Sequence, residues 1–375
     1  MIKRKLENII CEHLNSGKVI MLFGARQVGK TTLLENMSCI NKKKTLFLNG
    51  DEADIKELLT NVSSSRLKYA FSGFDTVIID EAQVIPGIGT TLKIISDKLK
   101  SIRLIATGSS AFELADKTSE PLTGRKFEFM LFPLSFSEMV NHHGFIKENS
   151  LTDIRLIYGY YPEIAVSAGK EEKFLKLIAG SYLYKDLLRL DNIRKSELLE
   201  KILKALALQV GSEVNYNELA KTCGTNSNTI AKYIDVLEKA YIIFKLPALS
   251  KNVRNEIKKG KKIYFWDNGI RNAVISNFNP ITLRTDSGIL WENFLVSERL
   301  KMHRYNETNV KCYFWRTTQQ QEIDFIEEYT DFYKLFEFKR NKKVKAKLPK
   351  TFSSKYIVKS FKVVTPADYE DFLLI

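Results

Sequence analysis

The stretch GARQVGKT, residues 24–31, constrains the fold more than any other part of the 375-residue chain. It follows a short apolar run, Val19–Phe23, which is typical of a buried parallel strand, and a helical pattern begins directly after it. This is the strand–loop–helix setting in which a GxxxxGK[ST] sequence binds phosphates. The sequence therefore predicts a P-loop at one edge of a parallel α/β sheet.

The chemistry of a P-loop assigns roles to its residues. Backbone N–H groups close around the phosphates, Lys30 reaches the β and γ phosphates, and the Thr31 hydroxyl holds Mg²⁺. A nucleoside triphosphate and Mg²⁺ are thus the predicted cofactors. The loop residues predicted to bind the nucleotide are Gly24, Gln27, Val28, Gly29, Lys30, Thr31 and Thr32.

A second apolar run, in DTVIIDEAQ, ends in Asp80 and Glu81. Acids at the carboxyl end of a parallel strand lie where such sheets bind ligands. Asp80 is predicted to hold Mg²⁺ through water, and Glu81 to polarise the water that attacks the γ-phosphate. The alternative is that the two acids cap the next helix.

Three further strands are predicted in TLFLNGDE, RLIATG and FEFMLFPLSFSE, so residues 1–150 form the predicted ATPase core. Either Thr107 or Ser109 is placed to sense the γ-phosphate, unless its hydroxyl caps a helix. Arg125 is a candidate to contact a phosphate in its own or a neighbouring subunit. The alternative is that it is a surface arginine.

The middle of the chain carries helical patterns but little chemistry. Residues 151–205 are predicted to form a helical lid, with Pro162 starting a helix. Residues 206–261 are predicted to form a winged helix, in which Gly224 makes the turn and Ser227 opens the second helix. That helix either contacts DNA, or the module packs on the ATPase core or on another subunit.

In residues 262–375 the helical pattern gives way to predicted strands with alternating charged residues. Glu322 and Asp324 alternate onto one face of a predicted strand, and Glu337 and Lys339 onto one face of the next. A basic stretch, residues 340–350, follows, and its simplest interpretation is an exposed loop. The four side chains form either a surface ion-pair row or a functional site.

Several motifs occur together in one order: GARQVGKTTLL, VIIDEAQ, IATGSS, LTGR, LFPLSFSE, GYYPEI, YKDLL, IYFWDNGIRN, GILWENFLVSERL and YFWRTTQQQEIDFI. This combination resembles the bacterial and archaeal AAA-superfamily ATPases that carry a C-terminal domain of formerly unknown function. The resemblance implies ATP as the nucleotide. It also implies an α/β multidomain chain with a P-loop core, a helical lid, a winged helix and a C-terminal restriction-endonuclease-like domain.

The order of a helix with an acid, a strand with Asp and a strand with Glu-x-Lys resembles the PD-(D/E)xK nuclease fold. The resemblance implies that Asp324, Glu337 and Lys339 are catalytic, and that Asp324 and Glu337, with Glu292 from the preceding helix, bind Mg²⁺. The same fold can also bind a partner without cleaving it. Two functions stay open at this point: an ATP-driven enzyme acting on DNA, or a nucleotide-controlled switch or scaffold.

The composition limits the possible partners and location of the protein but does not identify its function. The net charge of +14 permits DNA as a partner, and a second copy of the chain is the other candidate partner; no protein partner can be named. The cysteines have neither zinc-site nor redox-motif spacing, so reduced thiols are expected at Cys11, Cys39, Cys223 and Cys312. No apolar run is long enough to span a membrane, and a cytoplasmic location is predicted.

Overall fold

The computed structural model describes residues 1–108, 122–183, 196–250, 260–341 and 346–374. The chain divides into two compact units, one formed mainly by Met1–Leu134 and the other mainly by the residues that follow. Ser109, one of the two candidates for sensing the γ-phosphate, lies outside the described residues, as do residues 342–345 of the basic stretch.

The first unit is built on a five-stranded sheet in which all neighbouring strands are parallel. Its strands are β1 (Val19–Phe23), β2 (Thr45–Asn49), β3 (Thr76–Asp80), β4 (Arg103–Gly108) and β5 (Lys126–Met130). Every residue of β1 and β3 is buried, as expected for parallel strands covered on both faces. The predicted parallel α/β sheet is therefore confirmed.

The strand order β2-β3-β4-β1-β5 determines where a ligand can bind. Because β1 lies between β4 and β5 and not beside β2, the order of strands reverses next to β1. Ligands bind outside the carboxyl ends of the strands at such a point, and the P-loop follows β1 there. The described helices of this unit are α1 (Lys5–His13), α2 (Lys30–Asn36), α3 (Ala53–Leu59), α4 (Ser64–Ala70) and α5 (Ile88–Lys98), with short 3-10 turns at Lys42–Lys44 and Ala82–Val84.

The prediction of four reduced thiols is wrong for one pair of cysteines. Cys11 on α1 and Cys39, which follows α2, form a disulfide with a Cα–Cα distance of 5.9 Å. The two residues are 28 positions apart in sequence and meet only because α1 packs beside the segment after α2. In the described chain Cys223 and Cys312 are free thiols.

The second unit begins with a run of short helices. A capping box, in which Ser135 and Glu138 satisfy each other's backbone N–H groups, starts the first of them, and Pro162 starts another, as predicted. The helices are α6 (Phe136–His143), α7 (Phe145–Ser150), α8 (Thr152–Tyr158), α9 (Pro162–Val166) and α10 (Glu171–Leu177), followed by a π-helical turn (Ile178–Leu183) and α11 (Ser196–Leu208).

Two helices and a small sheet occupy the region predicted as a winged helix. Helix α12 (Tyr216–Cys223) is capped by the Asn215 side chain and ends at Gly224, which has a left-handed φ of 69°. Helix α13 (Ser227–Lys239) follows, and then the antiparallel pair β6 (Ile243–Pro247) and β7 (Lys261–Phe265). The helix-turn-helix is present in the structure, whereas its assignment as a winged helix stays a prediction.

The last part of the chain forms a four-stranded sheet in the order β11-β10-β9-β8. Its strands are β8 (Lys311–Arg316), β9 (Glu322–Glu328), β10 (Tyr333–Phe338) and β11 (Val358–Val364), of which only β10 and β11 pair in parallel. The helices are α14 (Asn268–Val274), α15 (Ser287–Tyr305), α16 (Lys350–Ser353) and α17 (Glu370–Leu374), with a 3-10 turn at Ile281–Leu283. None of the helices in the described ranges is long and apolar enough to cross a bilayer.

Candidate functional site

The loop after β1 has the backbone that a phosphate cradle requires. Gly24 must be glycine, because a Cβ there would lie 2.3 Å from the carbonyl oxygen of Leu131. Gln27 and Gly29 adopt positive φ angles of 63° and 92°, so the chain turns sharply before α2. The buried Val28 and the exposed Thr32 complete the predicted set of loop residues.

The two side chains that follow Gly29 contact different parts of the site: Lys30 contacts the loop after β1, and Thr31 contacts the carboxyl end of β3. The buried Lys30 donates through Nζ to the backbone oxygens of Gly24 at 2.8 Å and Ala25 at 3.1 Å. The Thr31 hydroxyl donates to Oδ2 of Asp80 at 2.7 Å. A hydroxyl and a carboxylate in contact supply the hard oxygen donors that Mg²⁺ prefers, so these residues fit the predicted metal.

Thr107 on β4 organises the two acids that end β3. Its buried hydroxyl donates to Oδ1 of Asp80 and accepts from the backbone N–H of Glu81 at 3.1 Å. Glu81 has a left-handed φ of 49°, and its carboxylate accepts from the Gln83 amide. Of the two candidate sensor residues, Thr107 therefore lies against Asp80 and Glu81.

Arg4, which sequence reasoning missed, holds the P-loop from behind. Its buried guanidinium donates to the carbonyl oxygens of Val28 at 2.8 Å and Phe132 at 2.6 Å. In a trans peptide the C=O and the following N–H point in opposite directions. Fixing the Val28 carbonyl outward therefore aims the Gly29 N–H towards the inside of the loop. Nothing in the pattern around Arg4 distinguishes it from a surface basic residue.

The structure does not bring Arg125 to the P-loop of its own chain. Its carbonyl accepts from the N–H of Val19, the first residue of β1, whereas the P-loop follows the last. The two ends of the strand are roughly 15 Å apart. The half-exposed Arg125 side chain pairs instead with Asp97 at 2.8 Å, and this contact lowers the pKa of Asp97. A role in its own subunit does not fit this position; a role in a neighbouring subunit stays a prediction.

A second group of charged side chains gathers on the C-terminal sheet. Lys339 Nζ lies 3.0 Å from Oε2 of Glu337 and 3.8 Å from Oδ2 of Asp324. Asp324 also accepts from the backbone N–H of Phe338 at 2.8 Å. Burial and the negative charge of Asp324 raise the pKa of Glu337 to about 7. The structure thus brings together the three residues that the Glu-x-Lys pattern predicted.

Glu292 lies in the same group but is engaged by other donors. Its Oε1 accepts from the Tyr264 hydroxyl at 2.7 Å and from Lys262 Nζ at 3.2 Å. Lys262, which sequence reasoning missed, also lies 2.7 Å from Oε1 of Glu322. Burial raises the pKa of Glu292, and the charge of Asp324 raises it further. Burial alone would lower the pKa of Lys262, but the carboxylates of Glu292 and Glu322 raise it above its usual range.

The donor set at Asp324 and Glu337 is compatible with a single Mg²⁺. Within the described ranges no three His, Cys, Asp or Glu side chains are grouped so as to hold a metal ion. Mg²⁺, however, is often bound by one or two carboxylates, with water and substrate phosphates completing its shell. The carboxylates of Asp324 and Glu337, which lie on neighbouring strands and both lie within 3.8 Å of Lys339 Nζ, meet that requirement.

Three family models match successive parts of the chain. Residues 16–140 match the AAA domain family, residues 150–281 match a domain of unknown function (DUF8612), and residues 287–371 match another (DUF4143). An uncharacterized protein of Haemophilus influenzae is 26% identical over 283 residues, 68% of each chain. One of Mycobacterium tuberculosis is 25% identical over 333 residues, 87% of this chain and 71% of that one.

A solved structure shares the fold. The Walker-type ATPase PABY2304 of Pyrococcus abyssi superimposes with a TM-score of 0.50 at 17% identity, covering 73% of this chain and 96% of that one. This likeness in fold and the AAA match of residues 16–140 support the predicted P-loop ATPase core. Residues 16–140 thus match the AAA domain, fold as a parallel sheet and bring Thr31 to Asp80 beside the P-loop lysine Lys30.

Proposed function

We propose that the first unit hydrolyses ATP with Mg²⁺ and that the second unit uses this cycle to act on DNA. The observation that carries the first part is the 2.7 Å hydrogen bond between Thr31 and Asp80 beside the buried Lys30. These residues would hold Mg²⁺, which when bound neutralises charge on the β and γ phosphates. Lys30 would leave its two carbonyl partners to bind the same phosphates.

Glu81 is the residue proposed to take a proton from the attacking water. Its backbone is fixed by Thr107 and by Oδ1 of Asp80, and its carboxylate is held by the Gln83 amide. The acid that polarises water and the acid that holds the metal are therefore positioned by one hydroxyl, that of Thr107. This arrangement explains a non-glycine residue with a positive φ at position 81.

The test is to measure ATP binding and hydrolysis in two variants. We expect Glu81→Gln to lower kcat by about 10²–10⁴-fold with ATP still bound, and Lys30→Ala to weaken ATP binding at least tenfold, since hydrogen bonds to a charged group are lost. Lys43→Ala, at an exposed lysine, is the control. Full activity of Glu81→Gln would exclude Glu81 as the base.

For the second unit, we propose metal-dependent cleavage of phosphodiester bonds in DNA. The contacts among Asp324, Glu337 and Lys339 support this, as does the net charge of +14. Asp324 and Glu337 would hold a divalent ion, which when bound activates water and stabilises charge on the phosphate. Lys339 would orient the phosphate or neutralise the charge that develops on it.

Cleavage is tested by incubating supercoiled DNA with Mg²⁺, with and without ATP, and following nicked product. We expect Asp324→Asn to abolish nicking. Asp331 is an exposed acid between β9 and β10, and Asp331→Asn should leave nicking unchanged. DNA binding without cleavage by the wild type, under every metal and nucleotide condition, would contradict the proposal.

That last outcome would favour the second candidate, a nucleotide-controlled switch whose C-terminal domain binds a partner. The observation in its favour is that Lys339 and Lys262 already neutralise carboxylates of the group. A switch predicts that ATP and ADP give different assemblies in analytical ultracentrifugation, and that Lys30→Ala abolishes the difference.

A further inference from the structure

Lys262 occupies an unusual position for a lysine. It lies on β7, is only 3% exposed, and its ammonium group lies 3.2 Å from Glu292 Oε1 and 2.7 Å from Glu322 Oε1. A buried ammonium is stable only when it is paired and hydrogen-bonded. These contacts come from three different elements, β7, α15 and β9, so the ammonium position is fixed by the packing of the fold.

The two partners of Lys262 flank the proposed cleavage site. Glu322 precedes Asp324 by two residues on β9 and shares its face of the strand. Glu292 contacts the same ammonium as Glu322, so it lies on the Glu322 side of the site. The carboxylates therefore separate into two pairs, Glu292 with Glu322 around Lys262, and Asp324 with Glu337 beside Lys339.

Two-metal phosphodiesterases use a second ion, about 3.5–4 Å from the first, to stabilise the other oxygen of the displacement. A second ion here would need Glu292 or Glu322 as a ligand, because Asp324 and Glu337 would hold the first. Both of those carboxylates already contact a cation that cannot diffuse away.

We propose that Lys262 is a positioning residue that takes the place of a second metal ion, so that the site binds one divalent cation, at Asp324 and Glu337. This inference rests on the proposed phosphodiesterase function. It revises the predicted role of Glu292, which becomes a counter-ion of Lys262 and not a metal ligand. It also gives Glu322 a role, that of holding Lys262 from the side of the sheet.

The experiment counts Mn²⁺ ions bound to nucleotide-free, full-length protein, by electron paramagnetic resonance of the free ion. The Asp324→Asn variant is the blank, so that ions bound elsewhere are subtracted. We expect one ion for the wild type, and two for Lys262→Met, because removal of the ammonium takes away the cation that Glu292 and Glu322 share. Lys261→Met, on the same strand, should still bind one.

Two further variants separate the effect of the lost charge from any loss of stability in Lys262→Met. Lys262→Arg retains the cation and should bind one ion. The double variant Lys262→Met/Glu292→Gln should return from two ions to one. One ion in Lys262→Met, or two in the wild type that are both lost in Asp324→Asn, would overturn the inference and leave the proposed cleavage intact. No difference between wild type and Asp324→Asn would overturn both.

Discussion

The Val28–Gly29 peptide of the P-loop is fixed by a residue that touches no substrate. Arg4 binds the carbonyls of Val28 and Phe132 with one guanidinium, and so joins the loop after β1 to the segment after β5. Hydrogen bonds from a charged group contribute about 1.5–3 kcal/mol each. The loop is therefore held in shape before a phosphate arrives, which lowers the entropy cost of binding.

We expect Arg4→Ala to weaken binding of a fluorescent ATP analogue about tenfold, which corresponds to about 1.4 kcal/mol, since the Gly29 N–H is no longer aimed into the loop. Arg4→Lys, which can reach one carbonyl, should recover part of the affinity. The exposed neighbour Lys3 provides the control, as Lys3→Ala. A lower melting temperature of Arg4→Ala with an unchanged Kd would show that the contact only stabilises the fold.

Individual residues of the site differ in how far the sequence predicts them. Lys30, Thr31 and Asp80 were predicted, because the P-loop motif and the end of a buried strand are local patterns. Arg4 and Lys262 were not, since their partners lie up to 128 residues away in the chain. For Arg125 the sequence left its own and a neighbouring subunit open, because the order of residues does not show that the strand after Arg125 pairs in parallel with β1.

Helix α15 and strand β9 are joined by a buried ionic group centred on Glu327. Its Oε1 accepts from His303 at 2.8 Å, and its Oε2 accepts from Arg299 at 3.2 Å and from the Tyr329 hydroxyl at 2.9 Å. Burial alone would raise the pKa of Glu327, but the hydrogen bonds from His303 and Arg299 lower it to about 2. Unlike Asp324, this acid is fully engaged by donors and has a structural role.

The lowered pKa predicts how stability depends on pH. The folded protein holds Glu327 ionised, so its contribution is complete above the usual pKa of 4.5 and is lost as the pH falls towards 2. We expect a loss of about 3 kcal/mol in the free energy of unfolding over that window. Glu327→Gln should be destabilised at pH 7 and should lack this part of the decline.

The measurement is urea unfolding followed by tryptophan fluorescence at several pH values. Glu307→Gln, at an exposed acid, should retain the wild-type pH dependence. An identical slope in wild type and Glu327→Gln would show that the acid does not titrate with folding.

The positions of strands along the chain are predicted from sequence better than the way in which the strands pair. The strands of the first unit were predicted, since short apolar runs bounded by polar turns mark buried strands. The β2-β3-β4-β1-β5 order was not, and neither was the disulfide between Cys11 and Cys39. Both depend on which elements pack side by side, and spacing along the chain carries no information about that.

On the scale of the whole molecule, the position of Arg125 has a consequence for assembly. Arg125 is partly exposed at the edge of the sheet opposite the P-loop, so only the nucleotide of a second copy is available to it. A contribution to hydrolysis therefore requires an oligomer in which that edge meets the P-loop of a neighbour.

Mixing two inactive variants tests this arrangement. If Arg125 acts between subunits, Lys30→Ala and Arg125→Ala are each inactive, but their mixture regains part of the ATPase activity, because some interfaces combine an intact P-loop with an intact arginine. Arg103→Ala, at the start of β4 on the same edge, should be active alone. Wild-type activity of Arg125→Ala alone would remove the arginine from the reaction.

The place of the P-loop core in the chain could be predicted from sequence, since its motifs are contained in short segments, whereas the lid, the winged helix and the nuclease-like domain stay predictions. The match of residues 16–140 to the AAA domain agrees with the predicted core. The partner of the second unit could not be predicted, because a surface that recognises a partner has no fixed spacing in sequence.

The disulfide between Cys11 and Cys39 makes residues 11–39 a covalent ring, and the whole P-loop lies on that ring. One cut by trypsin after Arg26 would leave two pieces that separate on a gel only after reduction. The same connection persists when the chain unfolds, so β1 and α2 stay tethered on both sides of the loop. Refolding of the phosphate cradle then begins from a restricted set of conformations.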